Sequence, residues 1–305
     1  MSSPASAGAR VHVRAPAKVN LCLFLGPVRE DGRHELVTLF ESVSLYDELA
    51  VSVDARDRVV CAGVRAPNLV TDALAGLRAR GWDAPPVRVE ITKRIPVAGG
   101  MGGGSADAAA VLRVAAELGA VADAGALSAL GASLGADVPA QLTPGLVLGT
   151  GAGEVVHPRE PLAAHGLVIV PLGERLSTAS VYAEADRLGL PRGRDELEAL
   201  LGEVERVVQR GARLPASLMV NDLEPAAVSL CPPISSALDA VRGVDADQAL
   251  VCGSGPTVAG LFWGKDGIAR AEAAASALAP RFPAATAVSP VTAAASAASS
   301  ACGKI

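Results

Sequence analysis

Short stretches in which apolar and polar residues alternate recur along the chain, and this pattern predicts half-buried β-strands. In one of them, a charged residue separates Val87 from Val89 and Val89 from Ile91. Two stretches lie on either side of a glycine-rich turn and predict a β-hairpin, 146–148 and 154–157. The predicted strands are 11–14, 18–25, 36–45, 47–53, 87–91, 146–148, 154–157, 167–171, 249–252 and 257–262.

Other segments space their apolar residues three and four apart, as one buried face of a helix does. In the first of these segments, Leu69, Ala73, Leu74 and Leu77 fall on one side. The predicted helices are 68–79, 105–118, 127–134, 178–189, 194–210, 233–242 and 268–278.

Strands and helices are mixed without a regular strand–helix–strand order, so an α+β fold is favoured over a doubly wound α/β fold. The chain has 305 residues, half of them hydrophobic, which is enough for two medium-sized domains. Segment 159–166, which contains Pro161, is the best candidate for the boundary. The expected parts are an N-terminal domain over 11–160, a C-terminal domain over 166–290, and disordered tails at 1–10 and 291–305.

Composition argues against several classes of function. A net charge of −5, scattered basic residues and an aromatic content of 3% speak against nucleic-acid binding. The five cysteines stand far apart, so neither a zinc site nor a disulfide framework is indicated. Their odd number, with no apolar signal sequence and no long apolar span, favours a cytoplasmic protein that does not contact membranes.

The strongest chemical signal is segment 96–105, where five glycines fall between positions 99 and 104. The segment follows a predicted strand and begins a predicted helix, and its glycines let the backbone approach a ligand closely. Because the first N–H groups of a helix have no partner within it, this arrangement predicts a phosphate-binding site. It is neither a Walker A loop, since no lysine follows, nor a dinucleotide-binding fingerprint, since Ser105 takes the third glycine position. A flexible turn before an ordinary helix is the alternative.

Three separated segments together resemble the GHMP kinases, named for galactokinase, homoserine kinase, mevalonate kinase and phosphomevalonate kinase. They are Ala15-Pro-Ala-Lys-Val-Asn-Leu21, the glycine loop, and Gly253-Ser-Gly-Pro-Thr257. Within that class, the chain is similar to the 4-diphosphocytidyl-2-C-methyl-D-erythritol kinases of the non-mevalonate isoprenoid pathway. The segments that carry this likeness are Asp31-Gly-Arg-His-Glu-Leu36, Leu134-Gly-Ala-Asp-Val-Pro139 and Asn221-Asp-Leu-Glu-Pro225, besides the first and third above.

The resemblance implies a ribosomal-protein-S5-like N-terminal half, a ferredoxin-like C-terminal half and an active site in the cleft between them. It implies ATP-dependent phosphorylation of the 2-hydroxyl group of 4-diphosphocytidyl-2-C-methyl-D-erythritol, with Mg²⁺ accompanying ATP. Two alternatives are another GHMP-type kinase, such as homoserine or mevalonate kinase, and a nucleotide-binding protein without turnover.

The catalytic residues that the resemblance implies are Lys18 and Asp137. The matching aspartate of the family is the general base that accepts the hydroxyl proton, and the matching lysine lies beside that hydroxyl. A cation there favours an ionised aspartate and stabilises charge on the transferring phosphoryl group. On the residues alone, Lys18 could be a solvated charge on a strand and Asp137 part of a helix-to-strand turn.

The substrate-binding residues that the resemblance implies are Asn20, Arg33, His34, Thr178 and Tyr182. In the family the histidine contacts the cytosine ring, and the tyrosine that usually precedes it stacks on that ring. This chain has Arg33 at the tyrosine position, and a guanidinium can also stack on a base. We therefore expect the cytosine to lie between Arg33 and Tyr182. The alternative for Arg33 is a solvent-facing side chain or a pair with Glu30 or Asp31.

The resemblance also implies where the nucleotide binds. The family has an asparagine near the nucleotide base at the position of Asn68, although Asn68 could equally cap the following helix. Ser105 is the side chain expected nearest to Mg²⁺. The implied ATP-binding residues are Pro96, Val97, Ala98, Gly99, Gly100, Met101, Gly102, Gly103, Gly104, Ser105 and Asn68.

Overall fold

The computed structural model describes residues 10–64, 68–118 and 124–291, which form two β-sheets flanked by helices. The mixture of sheets and helices is the predicted α+β class. The strands are β1 (Arg10–Val28), β2 (His34–Val53), β3 (Arg58–Cys61), β4 (Val87–Thr92), β5 (Leu146–Thr150), β6 (Val155–Arg159), β7 (His165–Val170), β8 (Gln248–Val251), β9 (Val258–Trp263) and β10 (Thr286–Val288). The helices are α1 (Leu69–Ala79), α2 (Gly103–Glu117), α3 (Ala124–Leu134), α4 (Val138–Leu142), α5 (Thr178–Leu188), α6 (Arg194–Val207), α7 (Glu224–Leu230), α8 (Pro233–Arg242) and α9 (Gly267–Leu278).

Strand β2 is the centre of the first sheet, because it pairs antiparallel with β1, β4 and β5. Strand order is β3-β4-β2-β5-β6, with β1 paired to β2 outside this path. The sequence predicts two strands where β1 forms and two where β2 forms. In β1 the chain stays extended through Pro16, where a register shift accommodates a residue that cannot donate a ladder hydrogen bond.

The second sheet has the antiparallel order β10-β7-β9-β8, with α8 and α9 packed against it. Its core also includes Leu23 and Leu25 of β1 and Leu36 of β2. This explains why β1 alternates between exposed and buried residues only at its beginning and is buried at every position from 15 to 26. The two sheets therefore share apolar contacts through β1, while the domain bounds given above stay predictions.

Short elements are what the sequence pattern misses: β3, β10, α4 and α7 have between three and seven residues each. At such lengths, an apolar period cannot be told from chance. Of the predicted tails, Arg10 belongs to β1 and the backbone N–H of Val291 donates to Ser42 O at 2.8 Å. The other tail residues lie outside the described ranges. Within those ranges, none of the helices has the length and apolar character needed to cross a bilayer.

Candidate active site

The three segments that carry the resemblance meet at one place through backbone contacts. The N–H of Lys18 donates to Met101 O in the glycine loop at 3.0 Å. A Cβ atom on Gly100 would lie 1.9 Å from Cys252 O, and one on Gly253 would lie 2.9 Å from Gly100 O. Both glycines also have positive φ, +78° and +52°. A side chain at either position would push the segments apart, so this junction requires glycine.

Helix α2 begins at Gly103, two residues before the predicted start. Gly102 is its N-cap, with φ 68° and ψ 21°, and no side chain caps the helix. The first N–H groups of α2 are therefore open to a ligand, and Gly103, Gly104 and Ser105 line a cavity at this end. Such an uncapped helix start, at the positive end of the helix dipole, suits a phosphate group.

The cavity has a volume of about 490 Å³, which falls within the usual range for a small-molecule site. Strands β1 and β2, the glycine loop and the start of α5 form its walls. Nearly all residues with an implied role line it, the exceptions being Arg33 and His34. The structure brings together Lys18, Asn20, Asn68, all of 96–105, Asp137, Thr178 and Tyr182.

Lys18 and Asp137 form an ion pair in the wall of this cavity, with Nζ 3.3 Å from Oδ2. Lys18 is only 5% exposed, so it is not a solvated charge on a strand edge. Its ammonium group also donates to Asn20 Oδ1 at 2.8 Å and lies 5.3 Å from the centre of the Phe40 ring. Asp137 precedes the one-turn helix α4, which the sequence pattern did not predict, and its carboxylate is 32% exposed. One carboxylate oxygen is thus tied to a cation while the group remains accessible from the cavity.

A second charged cluster, which the sequence reasoning missed, lies on the other side of the glycine loop. Lys93 Nζ contacts Asp47 Oδ2 and donates to Asp107 Oδ2 at 2.8 Å. Asp47 is fully buried, and its Oδ1 accepts the backbone N–H groups of Arg94 and Ile95. The only signals in the sequence are an aspartate within an apolar stretch of helix and a lysine just past a strand.

Asp107 in this cluster has an unusual carboxyl group. It is 3% exposed, lies beside the cavity, and its Oδ1 has no hydrogen-bond partner within the described residues. Burial, together with the nearby Asp47 carboxylate, raises the pKa of Asp107 to about 7, although Lys93 acts in the opposite direction.

Asn68 has one of the two roles that the sequence left open, the helix cap, and its place near the nucleotide base stays a prediction. Its Oδ1 accepts the N–H of Val70 at 2.9 Å, so it caps α1, and it also lines the cavity. Asn221, the first residue of one of the segments that carry the resemblance, donates from Nδ2 to Val251 O at 2.8 Å and to Gly253 O at 2.7 Å. Asn221 thereby holds the third of the three meeting segments in place.

His34 and Tyr182 lie together where β2 faces α5. The two ring centres are 5.4 Å apart, and His34 Nε2 is 2.8 Å from Asp186 Oδ1. Burial raises the pKa of the Tyr182 hydroxyl. Thr178 Oγ1 is 3.1 Å from Ser254 Oγ, which joins the start of α5 to the third segment.

Arg33 is turned toward carboxylates in this structure. Its Nε and Nη2 donate to Asp31 Oδ2 at 3.0 and 2.9 Å, and Nη2 is 3.6 Å from Glu154 Oε1. The side chain is 47% exposed. The pair with Asp31 is the alternative considered above, and the stacking of Arg33 on a cytosine stays a prediction.

Comparison with known proteins gives consistent matches over most of the chain. Residues 68–145 match the family model of the GHMP kinases N terminal domain, and residues 197–281 match that of the GHMP kinases C terminal. The 4-diphosphocytidyl-2-C-methyl-D-erythritol kinase of Streptomyces avermitilis is 41% identical, over 88% of this chain and 92% of that protein. The enzyme of the same name from Streptomyces coelicolor is 42% identical, over 82% and 87%.

Solved structures agree with these relatives. A crystal structure of 4-(cytidine 5'-diphospho)-2C-methyl-D-erythritol kinase is 33% identical, with a TM-score of 0.72 over 92% of this chain and 98% of that one. Homoserine kinase from Cytophaga hutchinsonii, at 19% identity and a TM-score of 0.58, shares the fold. The fold and the junction of three segments define a GHMP kinase, as the resemblance implied. The chain belongs to the 4-diphosphocytidyl-2-C-methyl-D-erythritol kinases, and ATP use follows from that membership.

Proposed function

We propose that this protein transfers the γ-phosphoryl group of ATP to the 2-hydroxyl group of 4-diphosphocytidyl-2-C-methyl-D-erythritol. The observation that carries the proposal is the Lys18–Asp137 pair, 3.3 Å apart, in the same cavity as the uncapped start of α2. A base beside a cation and a phosphate cradle is a sufficient set for phosphoryl transfer, since that reaction depends on positioning and charge stabilisation.

Asp137 acts as the general base in this proposal. Its carboxylate accepts the proton of the substrate hydroxyl while the hydroxyl oxygen forms its bond to the γ-phosphorus. The bond between that phosphorus and the bridging oxygen breaks, and ADP leaves with the electron pair. Lys18 contacts the carboxylate and lies next to Gly102 at the open end of α2, so its charge stabilises the phosphoryl oxygens as negative charge shifts among them.

The glycine loop holds the phosphates of ATP in this proposal, with Asn68 toward the nucleoside. The described residues contain no cluster of three or more His, Cys, Asp or Glu side chains suited to a metal ion. Mg²⁺ in a kinase takes most of its ligands from phosphates and water and few from the protein. Ser105, an oxygen donor at the cavity wall, is the side chain that we assign to it. Mg²⁺ would neutralise phosphate charge when ATP binds.

Substrate recognition is proposed for the side of the cavity formed by β1, β2 and α5. Asn20 and Thr178 would bind the diphosphate and polyol, with His34, Tyr182 and Arg33 at the cytosine. The protein would act in the cytoplasm, and its free thiols at Cys22, Cys61, Cys231 and Cys252 are consistent with a reducing compartment.

A coupled assay of ADP release tests the proposal. The alcohols compared are the cytidine diphosphate substrate, methylerythritol phosphate, homoserine and mevalonate. We expect turnover with the first alone and, for Lys18→Met, its loss with ATP binding retained. Equal or faster turnover with homoserine or mevalonate would indicate another GHMP-type activity. ATP binding without turnover of any alcohol would indicate a nucleotide-binding protein.

A further inference from the structure

A chain of hydrogen bonds that does not include Asp137 also holds Lys18. Lys18 Nζ donates to Asn20 Oδ1 at 2.8 Å, and Asn20 Nδ2 donates to Thr38 Oγ1 at 2.8 Å. Thr38 Oγ1 then donates to the backbone oxygen of Cys22 at 2.7 Å. Lys18, Asn20 and Thr38 are all buried, with Thr38 at 0% exposure, so each depends on these partners rather than on bulk water.

The direction of every hydrogen bond in this chain is determined by its two ends. An ammonium group can only donate, and a backbone carbonyl oxygen can only accept. The Thr38 hydroxyl has one hydrogen, which it gives to Cys22 O, and it must therefore accept from Asn20. Consequently the Asn20 amide turns its nitrogen toward Thr38 and its oxygen toward Lys18. A flipped amide would place an N–H group against the ammonium.

The backbone around this chain is also irregular. The register of β1 against β2 shifts between Asn20 and Cys22, and such irregularities redirect side chains. The Thr38 hydroxyl binds the Cys22 carbonyl at that shift, which ties β2 to the part of β1 that carries Lys18 and Asn20. Phe40, two residues further along β2, covers the same ammonium group from 5.3 Å.

The geometry points to Thr38 as a positioning residue for phosphoryl transfer: its hydroxyl sets the Asn20 amide, and that amide holds the Lys18 ammonium against Asp137. This inference rests on the catalytic role proposed above for Lys18. Thr38 acts through Asn20, so its removal should affect the rate of transfer rather than the binding of ATP.

Two substitutions distinguish the effect of the Thr38 hydroxyl from the effect of the shape of the side chain. Thr38→Val keeps the branched side chain and removes the hydroxyl. We expect kcat to fall about tenfold, which corresponds to about 1.4 kcal/mol, with KM for ATP within about twofold. Thr38→Ser keeps the hydroxyl and should restore kcat to within about threefold of wild type. Ser44→Ala is the matched control. It removes a hydroxyl from the same strand, and among the described residues that hydroxyl bonds only Ser289.

A double-mutant cycle distinguishes action through Asn20 from a structural effect. In an Asn20→Ala background, Thr38→Val should lower kcat no further, because the chain of hydrogen bonds is already broken. The same fold-loss in both backgrounds would overturn the inference, and so would an unchanged kcat in folded Thr38→Val. If Thr38→Val does not fold, Thr38→Ala replaces it in the cycle with the same expectations.

The Lys18→Met variant shows which proposal has failed if the results disagree. Loss of kcat in Lys18→Met with wild-type kcat in Thr38→Val overturns the positioning role alone. Wild-type kcat in both variants overturns the proposed role of Lys18 and the inference that rests on it.

Discussion

Two lysines lie on opposite sides of the glycine loop, Lys18 buried and Lys93 half-buried, and their surroundings differ. A Cβ atom on Gly102 would be 3.1 Å from Lys18 Cγ, and one on Gly103 would be 3.2 Å from Lys93 Nζ. Lys18 has one carboxylate partner, which is partly exposed, and an amide. Lys93 has two carboxylate partners, both buried.

This difference indicates that Lys18 and Lys93 have different roles. The charge of Lys93 is balanced by Asp47 together with Asp107, so little of it is left for a ligand. Its cluster ties β2, the segment after β4 and helix α2 together under the loop. Lys18 is balanced by a single carboxylate that opens to the cavity, and its charge can act on a phosphoryl group. We therefore assign catalysis to the Lys18 side and support of the loop to the Lys93 side.

The largest effect is expected from Asp137→Asn. The amide cannot accept the hydroxyl proton, and a positioned base accounts for about 10²–10⁴ in rate. We expect kcat to fall by that order while ATP affinity, measured by titration calorimetry, stays near wild type. Turnover within about threefold of wild type would remove Asp137 from the role of base.

Lys93→Met tests the supporting role of the second cluster. Removing the cation leaves the Asp47 and Asp107 carboxylates buried without their partner, which typically costs about 3–5 kcal/mol. Urea unfolding should show a loss of that order. The matched variant Lys18→Met should unfold much closer to wild type yet lose turnover. Similar stability losses in both variants would contradict the division of roles.

The Lys93 cluster should also make stability depend on pH. The folded-state pKa of Asp107 is raised to about 7 by burial and by Asp47, so the folded protein holds this proton more tightly than the unfolded chain does. The contribution of Asp107 to the free energy of unfolding is therefore complete below about pH 4. It is lost as pH rises toward 7, at up to about 1.4 kcal/mol per pH unit. The difference between the unfolding free energies at pH 5 and pH 8 should therefore be smaller in Asp107→Asn than in wild type. An identical pH dependence in both proteins would contradict the raised pKa.

The smallest effect is expected from Gly104→Ala, a substitution in the glycine loop. A Cβ atom on Gly104 would meet only Leu69, at 3.7 Å, and Gly104 has no positive φ, so Gly104→Ala should fold normally. Its methyl group would stand at the open end of α2, where we expect ATP affinity to fall about tenfold through lost backbone approach. Gly202→Ala in α6, where a Cβ meets nothing within 4 Å, is the control. Unchanged affinity in Gly104→Ala would argue against phosphate binding at this helix start.

The sequence alone determined most of the local structure and the place of the chemistry. Long periodic segments predicted α1, α5 and α8 closely, and the glycine run predicted the phosphate-binding turn before α2. Those features depend on neighbours a few residues apart, through helix period, capping and backbone freedom. Resemblance then named Lys18 and Asp137, which the structure places 3.3 Å apart.

Only the tertiary structure decided which charges are balanced and which are free to act. Lys93 meets Asp47 across 46 residues of chain, and His34 meets Asp186 across 152. The burial of Thr38 and its bond to Asn20 follow from the register of β1 on β2, and a local sequence pattern does not predict that register. Electrostatic character depends on burial and on partners brought together by packing, so the same residue type, lysine, meets two buried carboxylates on one side of the loop and a single accessible carboxylate on the other.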